Sequence, residues 1–254
     1  MITKEQLKHY SSKGYLILPK MYQGEVLASL ITATERLEKL DGPEFFREKN
    51  SGKIRTVFAP EKFDQTIAKL INQLELRQII YQILGEDFYL FQSKLNTKAC
   101  LESGVWTWHQ DFKFWKEDGM LQANAVTAAV LLSDVDIANG PILLIPGTHQ
   151  EGEVSSYLNN PEGVHDENLK YMIHPSTLSS MCEKYEPIVP LLGKAGDLLL
   201  FHSNVLHASY QNMGYLDRKL LMLTFNPIRN IQEVEHPRPD YMVKRNKAVL
   251  SPNS

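Results

Sequence analysis

The sequence predicts a mainly β protein with flanking helices, in which the strands form a barrel or a double-sheet jelly roll. First, the chain from residue 87 onwards contains short apolar runs separated by Gly, Pro, Asn and Asp, which is typical of strands joined by turns. Second, the preceding 86 residues have mainly helical periodicity, so that helices would pack on one side of the sheets. The apolar runs are FYLFQSKLN, AVTAAVLLSDV, PILLIPG, EPIVPLL, GDLLLFHS and KLLMLTFNP.

The N-terminal part, residues 1–86, is predicted to contain three helices and one strand. Thr3 and Gln6 have the spacing of a capping box, and Gly14 is a stop signal, so the first helix is bounded at both ends. Gly42-Pro43 and Ser51-Gly52 indicate a loop between the second and third helices. In order, the predicted elements are a helix at 3–14, a strand at 15–19, a helix at 24–40, a loop at 41–60 and a helix at 65–84.

The jelly-roll core is predicted over residues 87–230. Residues 150–187 interrupt it with a polar stretch that is rich in Asn, Glu, His and Ser. A loop of this length is uncommon unless it has a function, so we expect it to be an irregular insertion that acts as a lid. No internal repeat or linker divides the chain, and we expect one domain over residues 1–254.

Composition excludes several classes of function. The net charge of −3 gives no basic surface for nucleic acid, so none is expected as a partner. The N-terminus has no apolar signal core and no 18-residue apolar run occurs, which favours a cytoplasmic protein without membrane contact. Cys100 and Cys182 stand far apart in no metal or redox motif, as in a reducing compartment. We expect a monomer or a homodimer that acts on a small molecule.

A candidate metal site begins with His109 and Asp111 in the segment GVWTWHQDFKFWKEDG. On an extended segment, residues two apart point to the same face of a sheet. His207, which follows the apolar run GDLLLF, is the best third ligand. Two histidines and one carboxylate are typical of non-haem Fe(II) oxygenases. By itself H-x-D is also compatible with a half-buried histidine bonded to a carboxylate, or with catalytic zinc.

Arg218 favours the iron interpretation. It lies at the start of the apolar strand KLLMLTF, eleven residues after His207. A guanidinium can bind a carboxylate through two parallel hydrogen bonds. Inside a barrel near iron, it would hold the distal carboxylate of a 2-oxo diacid whose keto-acid end binds the metal.

Several segments together resemble the phytanoyl-CoA dioxygenase-like family of Fe(II)/2-oxoglutarate-dependent oxygenases. These are WHQD, NGPILLIPGTHQEG, GDLLLFHSNVLHAS and the strand that begins with Arg218. Within the family, the segments REKNSGKIRTVFAP, FQSKLNTK and WHQDFKFWKEDGM are most similar to those of ectoine hydroxylases. The resemblance implies a double-stranded β-helix, which is a cupin-like jelly roll, and an enzyme that uses Fe(II), 2-oxoglutarate and O2.

The resemblance also implies roles for individual residues. His109, Asp111 and His207 match the iron ligands, which would also be catalytic. The residues that match contacts to 2-oxoglutarate are Arg218 and Ser209, at its C5 carboxylate, and Asn96. The residues on the substrate side are Gln92 and Trp115, which match the family, together with Lys113, Leu220 and Met222, which do not.

The departures from ectoine hydroxylases surround the expected substrate. In the metal-binding segment, the Glu, Thr and His of ectoine hydroxylases are replaced here by Lys113, Phe114 and Lys116. Just after the arginine, their Asn and Phe are replaced by Leu220 and Met222. A buried polar substrate group that loses its partner costs about 1–3 kcal/mol. We therefore expect hydroxylation of a different small molecule, either amino-acid-like, zwitterionic or a natural-product intermediate.

Three alternatives remain open from the sequence. The protein could be an ectoine 5-hydroxylase proper. It could use the same iron chemistry for desaturation, epimerisation or cyclisation, because the outcome depends on the pose of the substrate. It could also be a non-catalytic jelly-roll module that binds a small acid, although the triad and Arg218 together count against this.

Overall fold

The computed structural model describes residues 1–49, 51–159, 169–235, 238–244 and 247–252. In this part of the chain, six α-helices flank antiparallel sheets. The helices are α1 (Lys4–Lys13), α2 (Gly24–Leu37), α3 (Gln65–Ile71), α4 (Leu74–Leu84), α5 (Asp111–Glu117) and α6 (Pro175–Lys184), with short 3-10 turns at Pro60–Lys62 and Thr148–Glu151. None of these helices is long and apolar enough to cross a membrane.

The strands form two main sheets and a separate hairpin. In spatial order the large sheet contains β1 (Tyr15–Leu18), β11 (Leu198–His202), β6 (Val126–Leu131), β13 (Arg218–Pro227), β4 (Phe88–Lys98), β3 (Ile54–Phe58) and β2 (Phe45–Arg47). The small sheet contains β10 (Val189–Leu191), β7 (Ile142–Leu144), β12 (His207–Ser209) and β5 (Trp106–His109). The hairpin pairs β8 (Ser156–Leu158) with β9 (Tyr171–Ile173).

Strand alternation explains why the central strands are apolar at nearly every position. In β11, Leu198 and Leu200 belong to the core under the helices, whereas Leu199 and Phe201 belong to the core between the sheets. The same division occurs in β6 and β13. A sheet covered on both faces needs apolar residues on both, and successive side chains point to opposite faces. The two facing sheets with helices on one side confirm the predicted fold class.

The N-terminal part differs from its prediction in two places. Residues 41–60 are not simply a loop, because β2 and β3 lie within them and extend the large sheet beside β4. Residues 65–84 form two helices rather than one, with Asn72 at the C-cap of α3. By contrast, Thr3 and Gln6 form the predicted capping box, and Gly14 ends α1 with φ of 78°.

The predicted irregular insertion at residues 150–187 contains regular structure in its described parts. It includes the β8–β9 hairpin and α6, while residues 160–168 lie outside the described residues. Ile173 packs with Ile145 and Leu206 in a small apolar cluster, and Trp108 lies against the same cluster. The insertion therefore packs beside the small sheet, next to the strands that carry His109 and His207.

Candidate metal centre and its cavity

The small sheet brings together the three residues proposed as metal ligands. His109 is the last residue of β5, and His207, the first residue of β12, lies opposite it in the antiparallel register. Asp111 is the first residue of α5 rather than part of an extended segment. The His-x-Asp pair therefore spans a strand end and a helix start, which corrects the predicted strand geometry.

The two histidine rings are fixed by the same kind of hydrogen bond. Nδ1 of His109 lies 2.6 Å from the carbonyl oxygen of Thr107, and Nδ1 of His207 lies 3.0 Å from that of Val205. A carbonyl can only accept, so each Nδ1 carries the proton and each Nε2 has a free lone pair. The Nε2 atoms lie 3.7 and 3.8 Å from the carboxylate oxygens of Asp111.

These three side chains form a donor set that fits a metal ion. All are buried, and their ligand atoms lie within 4.8 Å of one another. Burial lowers the pKa of His109 to about 3, helped by the charge of His207, so its imidazole is neutral and ready to coordinate at neutral pH. Burial alone would raise the pKa of Asp111, but the surrounding positive charges outweigh it and the pKa is lowered. Two imidazoles and one carboxylate match a 2-His-1-carboxylate site.

Gln110, between the first two ligands, joins three segments around the site. Its amide nitrogen donates to the carbonyl of Asn204 at 2.8 Å and to that of Gly152 at 2.9 Å. Its carbonyl accepts from the amide of Val154 at 2.9 Å. Because Asn204 lies three residues before His207, this side chain connects the segments that carry the ligands. Sequence reasoning did not identify this role.

Arg218 is buried without an acidic partner in the described part of the chain. Its guanidinium donates to Asn96 Oδ1 at 3.3 Å, to the Gly140 carbonyl at 3.1 Å and to Ser209 Oγ at 3.4 Å, while Nε has no partner there. Burial lowers its pKa to about 9, so the group is still a cation at neutral pH. A buried cation with an unused donor favours an anionic ligand, since an uncompensated buried charge is costly.

A cavity of about 290 Å³ connects the triad to Arg218 and is lined by residues of both main sheets. This size suits a co-substrate together with a small substrate. The structure places almost all of the predicted site residues on its wall. Those that line it are Gln92, Asn96, His109, Asp111, Trp115, His207, Ser209, Arg218, Leu220 and Met222.

Lys113 is the exception among the predicted site residues. It does not line this cavity, and its ammonium instead pairs with Glu153 and lies 5.1 Å from the ring centre of Tyr171. Its positive charge is therefore already used to hold the insertion against α5. The expectation that Lys113 contacts substrate is not supported by this arrangement.

The aromatic residues around the motif divide between cavity and core. Trp106, Phe114 and Trp115 line the cavity, and Phe114 meets the ring of His109 edge-to-face at 6.0 Å. Phe112 and Trp108 instead pack in separate apolar clusters. The tryptophans thus both shape the cavity and anchor the segment that carries two ligands.

Besides Lys170 of the insertion, sequence reasoning missed three basic residues on the cavity wall. Arg55 on β3 lies 4.2 Å from the ring centre of Trp106, Lys94 lies on β4 between Gln92 and Asn96, and Arg238 approaches from the C-terminal segment. Lys94 had a usable signal, since it lies between Gln92 and Asn96 at the alternating positions of β4 that face the cavity. Arg55 and Arg238 had no such signal in the sequence, because only tertiary contacts bring them to the cavity wall.

Comparison with known proteins agrees with this geometry. The chain matches the family described as phytanoyl-CoA dioxygenase (PhyH) over residues 10–220. It is 31% identical to L-proline trans-4-hydroxylase from Streptomyces griseoviridis, covering 96% of this chain and 93% of the relative. It is also 31% identical to ectoine dioxygenase from Nocardia farcinica, covering 98% of this chain and 87% of the relative.

A solved structure agrees with the fold. EctD from S. alaskensis, solved with 2-oxoglutarate and 5-hydroxyectoine, superposes with a TM-score of 0.85 at 26% identity, covering 99% of this chain and 86% of that one. The match of the family over most of the chain and the sequence relatives decide the classification: this protein belongs to the phytanoyl-CoA dioxygenase (PhyH) family.

Proposed function

We propose that this protein is a non-haem Fe(II)- and 2-oxoglutarate-dependent dioxygenase that hydroxylates a C–H bond of a small, amino-acid-like molecule. The observation that carries the proposal is the buried His109–Asp111–His207 set, which shares one cavity with the guanidinium of Arg218, a cation that has no acidic partner among the described residues. Relatives that hydroxylate L-proline and oxidise ectoine support the same reaction class.

His109, Asp111 and His207 would hold the iron through two Nε2 atoms and one carboxylate oxygen. Arg218 would bind the C5 carboxylate of 2-oxoglutarate, with Ser209 and Asn96 completing that end of the cavity. When bound, iron and 2-oxoglutarate supply, with O2, the oxidising power that replaces C–H by C–OH while succinate and CO2 are released. The protein would orient the reactants and exclude water. Phe114 and Trp115, which line the cavity wall, provide apolar surface for this.

The substrate side of the cavity supports a small molecule other than ectoine. Leu220 and Met222 lie on the inner face of β13, and neither can donate or accept a strong hydrogen bond. Gln92 also lines this side, but its amide nitrogen donates to the carbonyl of Met242 at 2.8 Å. The wall here is consequently poorer in polar partners than the wall near Arg218.

We also propose that the insertion at 150–187 is a lid on a single-domain protein. Leu169 and Lys170 line the cavity, and Lys170 pairs with Glu117 of α5 at 2.6 Å. Glu153 pairs with Lys113 and with Lys116 of the same helix. These ion pairs join the insertion to the helix that begins with Asp111, so closure and metal-site geometry are connected.

The test is a substrate panel assayed for succinate release with Fe(II) and 2-oxoglutarate supplied. L-Proline, other common amino acids and ectoine are the first compounds, with His207→Ala as the matched inactive control. A product that is heavier by one oxygen atom, formed in proportion to succinate, supports the proposal. The absence of succinate above the control with every compound would count against it. Product analysis also separates hydroxylation from desaturation, epimerisation or cyclisation.

A further inference from the structure

The cavity wall contains five basic side chains, and their pairing differs. Three have an acidic partner, which leaves their charge compensated, whereas two have none among the described residues. The compensated ones are Arg55 with Glu48 at 3.3 Å, Lys170 with Glu117 at 2.6 Å, and Arg238 with Asp118 at 3.0 Å from its Nε. The uncompensated ones are Arg218 and Lys94.

Lys94 lies in the middle of β4 and lines the same cavity as the three candidate metal ligands. In the register of the large sheet it is opposite Met222 on one side and Phe58 on the other. Within the described part of the chain, its ammonium makes no hydrogen bond or ion pair, although its charge interacts with that of Asp111. Burial lowers the pKa of Lys94, and Arg238 adds to this effect. An ammonium in this position needs an anionic partner.

The charges that the proposed reaction brings into the cavity leave Lys94 uncompensated. The two positive charges of Fe(II) and the one of Arg218 are matched by the carboxylate of Asp111 and the two carboxylates of 2-oxoglutarate. The other cationic side chains of the cavity, Arg55, Lys170 and Arg238, already pair with acidic side chains. One positive charge, that of Lys94, is left over, and a substrate with a carboxylate would neutralise it.

The wall around Lys94 indicates what such a substrate looks like elsewhere. Phe46 and Phe58 meet edge-to-face at 5.5 Å, and Phe114, Trp115 and Met222 add further apolar surface to the same cavity. Apolar walls with few polar groups favour a small aliphatic body whose orientation is set by one charged end.

We propose that Lys94 is a specificity-determining residue that binds the free carboxylate of the substrate, so that the protein acts on free amino or imino acids and not on their amides or esters. This inference rests on the proposed function and deepens it. Lys94 would anchor the substrate at one end, while Arg218 anchors 2-oxoglutarate separately. Lys113, which the sequence analysis placed on the substrate side, pairs with Glu153 instead.

The experiment compares acids with their amides on the Fe(II)- and 2-oxoglutarate-loaded protein. The probes are L-proline, L-pipecolic acid and L-leucine, each paired with its carboxamide. Binding is measured without O2 by calorimetry and by the fluorescence of the tryptophans, since Trp106 and Trp115 line the cavity. Turnover is measured separately as succinate release.

For wild-type protein we expect at least one acid to bind roughly 10- to 100-fold more tightly than its amide, the usual range for a hydrogen bond to a charged group. Lys94→Met should remove that preference, because it should weaken binding of the acid and leave binding of the amide unchanged. Lys94→Arg should retain most of it, and the affinity for 2-oxoglutarate should stay within about threefold in both variants. Lys219→Met is the matched control, because Lys219 is a strand lysine that pairs with Glu38, on the opposite face of β13.

The outcomes separate the two proposals. If wild-type protein releases no succinate with any compound, the proposed function fails. Two outcomes in a wild-type protein that does release succinate would show that Lys94 does not bind the substrate carboxylate. One is that Lys94→Met still binds acids more tightly than amides. The other is that this variant loses affinity for 2-oxoglutarate instead. Equal binding of acids and amides by wild-type protein overturns the inference even if Lys94→Met does not fold.

Discussion

His109 lies directly opposite His207 in the small sheet, with the two ring centres 4.1 Å apart. Antiparallel register thus sets the spacing of two metal-ligand candidates that are remote in sequence. Only Asp111 is placed by a helix, and its carboxylate lies within 4 Å of both rings. The strongest test of the site is therefore to remove each of the three in turn.

Replacing His109, Asp111 or His207 by Ala should abolish succinate release and weaken Fe(II) binding by roughly 100-fold or more, since even outer partners of ligands contribute 10- to 100-fold. Each side chain lies at a cavity wall, so the metal-free fold should remain near intact. Metal titration and thermal unfolding measure the two effects. His9→Ala, which changes an exposed histidine on α1, is the control. Near-normal activity in any of the three variants would remove that residue from the site.

Arg218→Lys should raise the requirement for 2-oxoglutarate by roughly 10- to 100-fold, because an ammonium cannot reproduce a bidentate guanidinium. Iron binding should change little, because Arg218 contacts Asn96, Ser209 and Gly140 rather than the triad. Titration of 2-oxoglutarate in the succinate assay, beside an Fe(II) titration, checks both. An unchanged requirement for 2-oxoglutarate would assign the C5 carboxylate to another residue.

Proteolysis within residues 150–187 should slow when Fe(II), 2-oxoglutarate and substrate are all present. The ion pairs of Glu153 with Lys113 and Lys116 would hold the insertion against α5. Glu153→Gln should therefore speed cutting of the free protein by roughly two- to fivefold, the effect of partly exposed ion pairs. Asp134→Asn, which breaks a pair with Lys194 elsewhere, is the control. Equal cutting rates with and without ligands would contradict a lid.

Ectoine should be a poor substrate or none. Leu220, Met222 and Phe114 line the cavity, and none of them can hydrogen-bond a polar group of ectoine. Loss of one good partner for a buried polar group can cost orders of magnitude in discrimination. The value of kcat/KM for ectoine should therefore fall well below that for the true substrate. Efficient, stoichiometric formation of 5-hydroxyectoine would overturn this expectation.

Stability of the metal-free protein should decrease as the pH falls below about 6.5. Burial, with a contribution from His149, lowers the pKa of His202 from 6.5 to about 3, so the unfolded chain binds a proton that the folded chain does not. The resulting slope is at most about 1.4 kcal/mol per pH unit for one such histidine. Denaturant unfolding between pH 7 and 4 measures it, and His202→Asn should flatten the slope. An unchanged slope in this variant would assign the acid sensitivity to other groups.

Local patterns were enough to predict much of the fold and the chemical character of the site. The capping box at Thr3 and Gln6 and the apolar runs of β6, β11 and β13 depend on residues close in sequence, so their structure could be predicted. The pairing of β3 with β4 could not, because it depends on contacts between strands that are distant in sequence.

The sequence by itself determined which donors are available: two imidazoles, a carboxylate and an arginine in the order that the family has. Only the tertiary structure decided which charges are already compensated. Lys113 and Lys94 both lie in segments that resemble the family, but the fold pairs Lys113 with Glu153 and leaves Lys94 facing the cavity. The physical reason is that charge pairing depends on distances between elements, which sheet register and packing set, whereas sequence periodicity reports only which face of its own element a residue occupies.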